Sequence, residues 1–133
     1  MVIDTSALLA ILFNESDAEY FERALEVDLT RLMSAALVLE TAIVVEARLG
    51  EAGGREFDLL LYKAQITIVP FTADQGEVAR QAWRTYGKGR HSAGLNYGDC
   101  FAYALAKTSG EALLCKGNDF AQTDVTLWTF PQL

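Results

Sequence analysis

The chain has 133 residues, of which 51% are hydrophobic, and a formal net charge of −7. We expect a single domain over residues 1–133, because this length supports one hydrophobic core and is too short for two. The negative charge argues against a protein that grips nucleic acid through a broad basic surface. The apolar segment 7–13 is too short to cross a bilayer and follows no basic residue, so we expect a cytoplasmic protein without membrane association.

Apolar periodicity and turn residues predict strands that alternate with helices. In chain order, the pattern predicts strand 1–3, helix 7–13, helix 16–27, strand 29–33, helix 35–49, helix 55–65, strand 66–71, helix 72–86, helix 99–108, strand 112–115 and strand 126–130. This alternation favours an α/β fold of three layers, with a mainly parallel sheet of about five strands between helices. Ligands of such sheets bind beyond the carboxyl ends of the strands.

Local signals set the predicted helix ends. Thr5 or Ser6 can cap the first helix, and segments 16–19 and 72–75 both have the form of a capping box. The pair Gly53-Gly54 separates the two middle helices. Helix 35–49 is apolar almost all round, so we expect it to be buried.

Four carboxylates, Asp4, Glu40, Asp99 and Asp119, stand where an apolar segment meets a turn or near the beginning of a helix. In a parallel sheet, all four can face one pocket at the carboxyl ends of the strands. One pair of carboxylates ~4 Å apart repels by about 4 kcal/mol at an effective dielectric near 20. The pocket would therefore need a cation or bound protons. Carboxylate oxygens favour Mg²⁺, or Mn²⁺, over Zn²⁺.

Each acid also has a simpler structural interpretation. Asp4 can cap a helix, Asp99 can complement a helix dipole, and Asp119 can form an Asx turn. Glu40 is the hardest to explain in this way, because it lies in an apolar helix where an unpaired carboxylate is costly.

Four segments together resemble the PIN-domain ribonucleases, and more narrowly the VapC toxins of bacterial toxin-antitoxin pairs. These segments are Val2-Ile3-Asp4-Thr5-Ser6-Ala7-Leu8, the helix acid Glu40, Asn96-Tyr97-Gly98-Asp99-Cys100 and Leu113-Leu114-Cys115-Lys116-Gly117-Asn118-Asp119-Phe120. The resemblance covers essentially the whole chain in motif order.

The resemblance implies Mg²⁺-dependent hydrolysis of RNA phosphodiester bonds. Asp4 and Asp99 would be the principal ligands of the metal, with Glu40 and Asp119 completing the acidic pocket. It also implies a cognate VapB-type antitoxin that covers this pocket, and a homodimer, to which the apolar helix and the surroundings of Tyr62 could contribute.

The basic residues nearest the predicted acids are Lys88 and Arg90 in the glycine-rich loop 87–98, and Lys116 beside the last strand. They could bind RNA phosphates, or they could be ordinary solvated charges. The single histidine, His91, receives no catalytic role. A further group of residues could stack bases or could simply pack in the core. This group is Trp83, Tyr86 and Tyr97.

Two other functions fit parts of the pattern. Val2-Ile3-Asp4-Thr5 and Gly117-Asn118-Asp119 faintly resemble phosphotransfer enzymes of the haloacid-dehalogenase type, in which the first Asp becomes phosphorylated. Those enzymes usually carry a second acid two residues later, where this chain has Ser6. The other alternative is a catalytically silent module whose acidic pocket captures a basic peptide.

Overall fold

The computed structural model describes residues 1–132, and short apolar strands alternate with helices as predicted. The elements are β1 (Val2–Ile3), α1 (Thr5–Leu12), α2 (Ala18–Val27), β2 (Leu32–Ser34), α3 (Ala35–Lys63), β3 (Thr67–Val69), α4 (Ala73–Tyr86), α5 (Tyr97–Ser109), β4 (Leu113–Leu114) and a 3₁₀ turn (Phe120–Gln122). Within this part of the chain, no helix combines the length and the apolar character that crossing a bilayer requires.

The sheet has the strand order β3-β2-β1-β4. All three strand pairs are parallel, with Val2 opposite Leu32 on one side and opposite Leu113 on the other. Helix α5 contacts β1, β2 and β4, while α4 packs along α5 and α1 packs against α2 and α3. Because the strands are parallel, their carboxyl ends meet at one edge. The expected α/β fold is thus confirmed.

The fifth predicted strand, 126–130, is reduced to a single bridge between Leu113 and Leu127. Leu113 forms both backbone hydrogen bonds there, from its own N–H to Thr126 O and from Trp128 N–H to its carbonyl, each 2.8 Å long. The indole Nε1 of Trp128 then donates to Asp28 Oδ2 at 3.0 Å. One backbone bridge and this side-chain hydrogen bond therefore hold the segment, and the sheet within residues 1–132 has four strands.

The predicted capping boxes have different outcomes. Thr72 caps α4, since its Oγ1 accepts a hydrogen bond from Gln75 N–H at 3.2 Å. The predicted box at 16–19 is wrong: Asp17 precedes α2 with φ −101° and ψ 12°, and its side chain makes no capping hydrogen bond. An extended backbone would be needed to aim that side chain at the first turn.

Helix α3 bends sharply at Gly50, where φ is 71° and ψ is −167°. The sequence placed the end of the first half at Leu49, which agrees with this bend, and also assigned Gly53-Gly54 to the separation between two helices. These two glycines instead pack against the first half of α3: an added Cβ would lie 2.5 Å from Leu49 Cβ at Gly53 and 2.8 Å from Glu46 Cδ at Gly54. The two halves can approach each other because these positions carry no side chain.

The expectation that residues 35–49 are buried all round is wrong for the outer face of α3. Leu37 and Val45 are buried, whereas Leu39 is 62% exposed and Ile43 is 59% exposed. A helix presents only one face to a neighbouring layer, and the inner face of α3 packs on α1. The large apolar side chains of Leu39 and Ile43 therefore remain in solvent.

The substitution Gly50→Ala is expected to reduce the free energy of unfolding by about 1–3 kcal/mol, because only glycine adopts this backbone conformation without strain. An added Cβ there would meet no atom within 4 Å, so the loss is conformational. Urea unfolding measures it. Gly76→Ala in α4 is the matched control and should cause no loss, since its Cβ would make ordinary contacts at 3.7 Å. Equal stabilities of Gly50→Ala and the wild type would contradict the strain argument.

Candidate active site

Asp4 directly follows β1 and caps α1, which was one of its predicted roles, whereas Thr5 and Ser6, also suggested as caps, lie within the first turn. Its Oδ2 accepts hydrogen bonds from Ser6 N–H at 3.1 Å and from Ser6 Oγ at 2.6 Å. Ser6 Oγ in turn accepts a hydrogen bond from Lys116 N–H at 2.9 Å. The side chain of Asp4 is thereby tied to the segment that follows β4, and the residue is only 6% exposed.

Asp99 lies in the first turn of α5 and is held by a reciprocal capping box with Asn96. Asn96 Oδ1 accepts from Asp99 N–H at 2.9 Å, and Asp99 Oδ2 accepts from Asn96 N–H at 3.0 Å. This arrangement satisfies two backbone donors that the helix itself leaves unpaired. One oxygen of Asp99 is thus engaged in the cap.

Glu40 reaches from α3 to the beginning of α5. An added Cβ at Gly98 would lie 2.2 Å from Glu40 Oε2, so the carboxylate fills the space that any other residue would occupy. Gly98 is the immediate neighbour of Asp99 in the chain. The structure therefore brings Glu40 and Asp99 together through a contact between distant segments.

The electrostatics of Asp4 show which groups surround it. Burial is the largest cause that raises the pKa of Asp4 to about 6, hydrogen bonds from Ser6 oppose the rise, and the charges of Asp99 and Glu40 add to it. Like charges disfavour ionisation only when they are near. Three of the four predicted carboxylates therefore lie in one electrostatic environment.

Asp119 joins this group through Asp99. Burial raises the pKa of Asp99, the hydrogen bond from Asn96 opposes the rise, and the charges of Asp119 and Glu40 reinforce it. Asp119 is exposed and precedes the 3₁₀ turn without making a capping hydrogen bond. The structure thus brings all four predicted acids to the same end of the sheet, and their chemical roles stay predictions.

The donor set fits a hard cation. Within residues 1–132, no group of three or more His, Cys, Asp or Glu side chains is arranged closely enough to hold a metal ion. Mg²⁺, however, usually keeps several waters and binds one or two carboxylates together with substrate phosphates. A cluster of carboxylates that repel one another matches this mode better than a closed cage of ligands.

Two cysteines flank the acids without forming a disulfide. Cys100 is buried and Cys115 is half-buried, and both are free thiols. Burial, reinforced by the charges of Asp4, Asp99 and Asp119, raises the pKa of Cys115 to about 12. Cys115 therefore stays protonated at neutral pH and is a poor nucleophile and a poor metal ligand.

The three basic residues predicted to bind substrate have different surroundings. The ammonium group of Lys116 forms ion pairs with Glu15 at 3.3 Å and Asp17 at 3.1 Å, so it already holds the segment between α1 and α2. Lys88 and Arg90 are exposed, and the guanidinium of Arg90 lies 4.2 Å from the centre of the Trp83 ring. Of the three, Lys88 and Arg90 form no such ion pair within the described residues.

The three aromatic residues that could stack bases also differ in their surroundings. Tyr86 is partly buried and packs near Tyr103 and His91, so it belongs to the core. The Nδ1 of His91 accepts a hydrogen bond from Ala93 N–H at 2.9 Å, a local turn contact. Trp83 and Tyr97 remain accessible, 43% and 82% exposed respectively.

Three residues that support the acids were not predicted from the sequence as part of the site. Ser6 and Asn96 orient Asp4 and Asp99 through hydrogen bonds, and Gly98 leaves room for Glu40. The spacing Asn96-x-x-Asp99 carries the signature of a capping box and could have revealed Asn96. No local pattern reveals the contact of Gly98 with α3.

Known proteins are similar to this chain in both sequence and fold. Residues 1–125 match the family model of the PIN domain. Ribonuclease VapC30 of Mycobacterium tuberculosis is 62% identical over 131 residues, which are 98% of this chain and 100% of that protein. Ribonuclease VapC of Mycolicibacterium smegmatis is 62% identical over 125 residues, which are 94% of this chain and 97% of that protein.

Solved structures with much lower identity confirm the fold. VapC20 of Mycobacterium tuberculosis, described as a toxin that cleaves the sarcin-ricin loop, superimposes with a TM-score of 0.76 at 16% identity, covering 94% of this chain and 95% of that one. A toxin-antitoxin complex from Klebsiella pneumoniae gives a TM-score of 0.72 at 18% identity, with coverages of 96% and 95%.

Asp4 is expected to make stability depend on pH in metal-free buffer. Its pKa is 3.8 in the unperturbed group and about 6 in the fold, so the folded state binds more protons between these values. The free energy of unfolding contributed by Asp4 therefore falls as pH rises from about 4 to about 6, and the loss is complete above that. In the wild type this loss of unfolding free energy should amount to about 2–3 kcal/mol, and Asp4→Asn should not show it.

Urea unfolding in EDTA, at about pH 4 and about pH 8, measures this change for both proteins. Glu46→Gln, which removes an exposed carboxylate of α3, is the control and should retain the wild-type pH dependence. If Asp4→Asn keeps the wild-type dependence of unfolding free energy on pH, another titrating group causes that dependence.

Proposed function

Because the chain belongs to the PIN-domain family, and within it to the VapC ribonucleases, we propose that it is a Mg²⁺-dependent endoribonuclease toxin. The observation that carries this proposal is the convergence of Asp4, Glu40, Asp99 and Asp119 at the carboxyl ends of the parallel strands. Mn²⁺ could replace Mg²⁺, since both prefer oxygen ligands.

Asp4 and Asp99 would hold the metal, because both are fixed by hydrogen bonds and both have a raised pKa that a nearby cation would reverse. Such an ion supplies Lewis-acid activation of water and neutralises charge on the phosphate. Asp119, the most exposed of the four, would complete the acidic pocket directly or through water. Ser6 would keep Asp4 in place.

Glu40 would act on the proton of the attacking water. Its carboxylate lies against Gly98, close enough to Asp4 and Asp99 to raise the pKa of both. From that position, an oxygen of Glu40 can orient a water molecule and accept its proton. Water as the nucleophile leaves a 5′-phosphate and a 3′-hydroxyl on the RNA products.

Lys88 and Arg90, which are both exposed, would bind phosphates of the RNA. Lys116, with two carboxylates as partners, would contribute mainly by holding its loop in place. The contribution of Lys116 to RNA binding is accordingly the smallest of the three.

The partner of the toxin would be a cognate VapB-type antitoxin in the cytoplasm. A basic side chain of that antitoxin could enter the acidic pocket and replace the metal's charge, which suits a chain with a net charge of −7. We further propose a homodimer in which apolar side chains of α3 contribute to the contact. Candidates that are exposed in the single chain are Leu39, Ile43, Leu59 and Tyr62.

Asp4→Asn and Asp99→Asn are each expected to reduce RNA cleavage by at least about 100-fold, because losing a group that merely supports a metal ligand already costs about 10- to 100-fold. Folding should survive, since each substitution removes one of several repelling charges. Cleavage of a mixture of RNAs, followed by sequencing of the 5′ ends, measures the effect and reveals the target.

Glu46→Gln is the control and should cleave RNA like the wild type. Titration with Mg²⁺ in a calorimeter provides a readout that does not depend on activity, and uptake should be lost in Asp4→Asn. Full cleavage by both Asp4→Asn and Asp99→Asn would refute the assignment.

Gly98→Ala is expected to reduce cleavage by about 10- to 100-fold, because the added Cβ would displace the carboxylate of Glu40, now 2.2 Å from that point. The helix itself should tolerate alanine. A double-mutant cycle identifies the cause: the pair Gly98→Ala with Glu40→Gln should be no less active than Glu40→Gln alone. Additive losses would show that Gly98 acts independently of Glu40.

The two alternative functions are tested by the same preparations. A phosphotransfer enzyme of the haloacid-dehalogenase type would be labelled at Asp4 by a phosphate mimic, but Asp4 Oδ2 already accepts two hydrogen bonds from Ser6. A silent peptide-binding module would bind a basic peptide without cutting RNA. Cleavage without labelling would exclude both.

A further inference from the structure

A cavity of about 650 Å³ lies between α4 and α5, beside the acidic site. Its walls include the rings of Phe71, Trp83, Tyr97 and Phe101. Phe101 packs edge-on against Phe71 at 4.6 Å and against Tyr97 at 4.9 Å between ring centres. The cavity therefore has an ordered aromatic wall whose outer member, Tyr97, is 82% exposed.

The charge around this cavity is opposite to that of the chain as a whole. Residues 78–98 contain four basic side chains and no acidic one, although the net charge of the chain is −7. The four are Arg80, Arg84, Lys88 and Arg90. Arg80 and Lys88 line the cavity, and none of the four takes part in an ion pair within residues 1–132. Such a surface attracts an anion.

The cavity and the acidic site share the first turn of α5. Asn96, Tyr97 and Cys100 line the cavity, while Asp99 lies between them in the chain and takes part in the capping box with Asn96. A ligand that occupies the cavity would therefore continue directly towards the carboxylates. A nucleotide, with its flat base and its phosphate, has both the shape and the charge that this continuity requires.

We propose that this cavity binds an unpaired base of the RNA substrate next to the phosphate that is cleaved, with Tyr97 as the stacking surface and Arg80 and Lys88 on the adjacent phosphates. The proposal rests on the ribonuclease function proposed above. Aromatic side chains stack on bases whatever their sequence, and recognition of single-stranded RNA commonly uses such contacts. A second copy of the chain fits less well, because a symmetric contact would bring the same basic residues together.

Binding of short single-stranded RNA by the full-length protein, in EDTA so that nothing is cut, tests the proposal. Tyr97→Ala is expected to weaken binding by roughly 5- to 100-fold, whereas Tyr97→Phe, which keeps the ring, should bind like the wild type. Tyr20→Ala is the matched control: Tyr20 is 43% exposed on α2, outside the cavity, and its loss should leave binding unchanged.

The charges are tested separately through the dependence of binding on salt. Arg80→Gln should reduce the slope of log K against log salt by roughly 0.7, the value for one phosphate contact on a single strand. Arg55→Gln, an exposed arginine of α3, should leave the slope unchanged. An RNA in which single nucleotides lack their base should bind the wild type more weakly at one position and should lose that preference with Tyr97→Ala.

Unchanged RNA binding by Tyr97→Ala, in a wild type that cleaves RNA, would overturn the proposal and leave the ribonuclease function intact. A wild type that neither binds nor cleaves RNA would overturn both. Sedimentation of each variant distinguishes the remaining case: conversion of a dimer into a monomer by Tyr97→Ala, without a change in RNA affinity per chain, would show that the cavity holds a second copy and would also overturn the proposal.

Discussion

The mutual repulsion of the carboxylates is the constraint on which the rest of the structure depends. Asp4 is buried, and burial together with the charges of Asp99 and Glu40 raises the pKa of its carboxyl group to about 6. The fold holds these groups together although their proximity costs free energy, so the stability must come from elsewhere. It comes from the apolar strands and helices, in which Val2, Ile3 and their neighbours are fully buried. Sites that are strained in this way are usually functional.

The amino ends of two helices reduce the cost of this repulsion. Asp4 caps α1 and Asp99 lies in the first turn of α5, so each carboxylate faces the partial positive charge at a helix amino end. The hydrogen bonds from Ser6 and Asn96 act in the same direction, since they favour the ionised form. The parallel sheet makes this possible, because consecutive strands deliver their carboxyl ends to one edge and the helices that follow begin there.

Much of this arrangement follows from local sequence. An acid directly after an apolar strand, as at Asp4, and an acid in a first turn, as at Asp99, identify positions near the active edge of a parallel sheet without any knowledge of long-range contacts. Contacts between distant segments do not follow in this way. The approach of Glu40 to Gly98 and the bridge from Ser6 to Lys116 depend on how α3 and the segment after β4 pack. The exposed outer face of α3 was missed for the same reason, because apolar composition does not reveal which side has a neighbour.

Charge is unevenly distributed along the chain: residues 78–98 carry four basic side chains and no acidic one, whereas the whole chain has a net charge of −7. The electric field of a polyanion would orient such a molecule before the two come into contact, so that encounters occur mainly in one orientation. Productive collisions then become frequent even though the overall charge is repulsive, and dissolved salt would randomise the approach by shortening the range of the field.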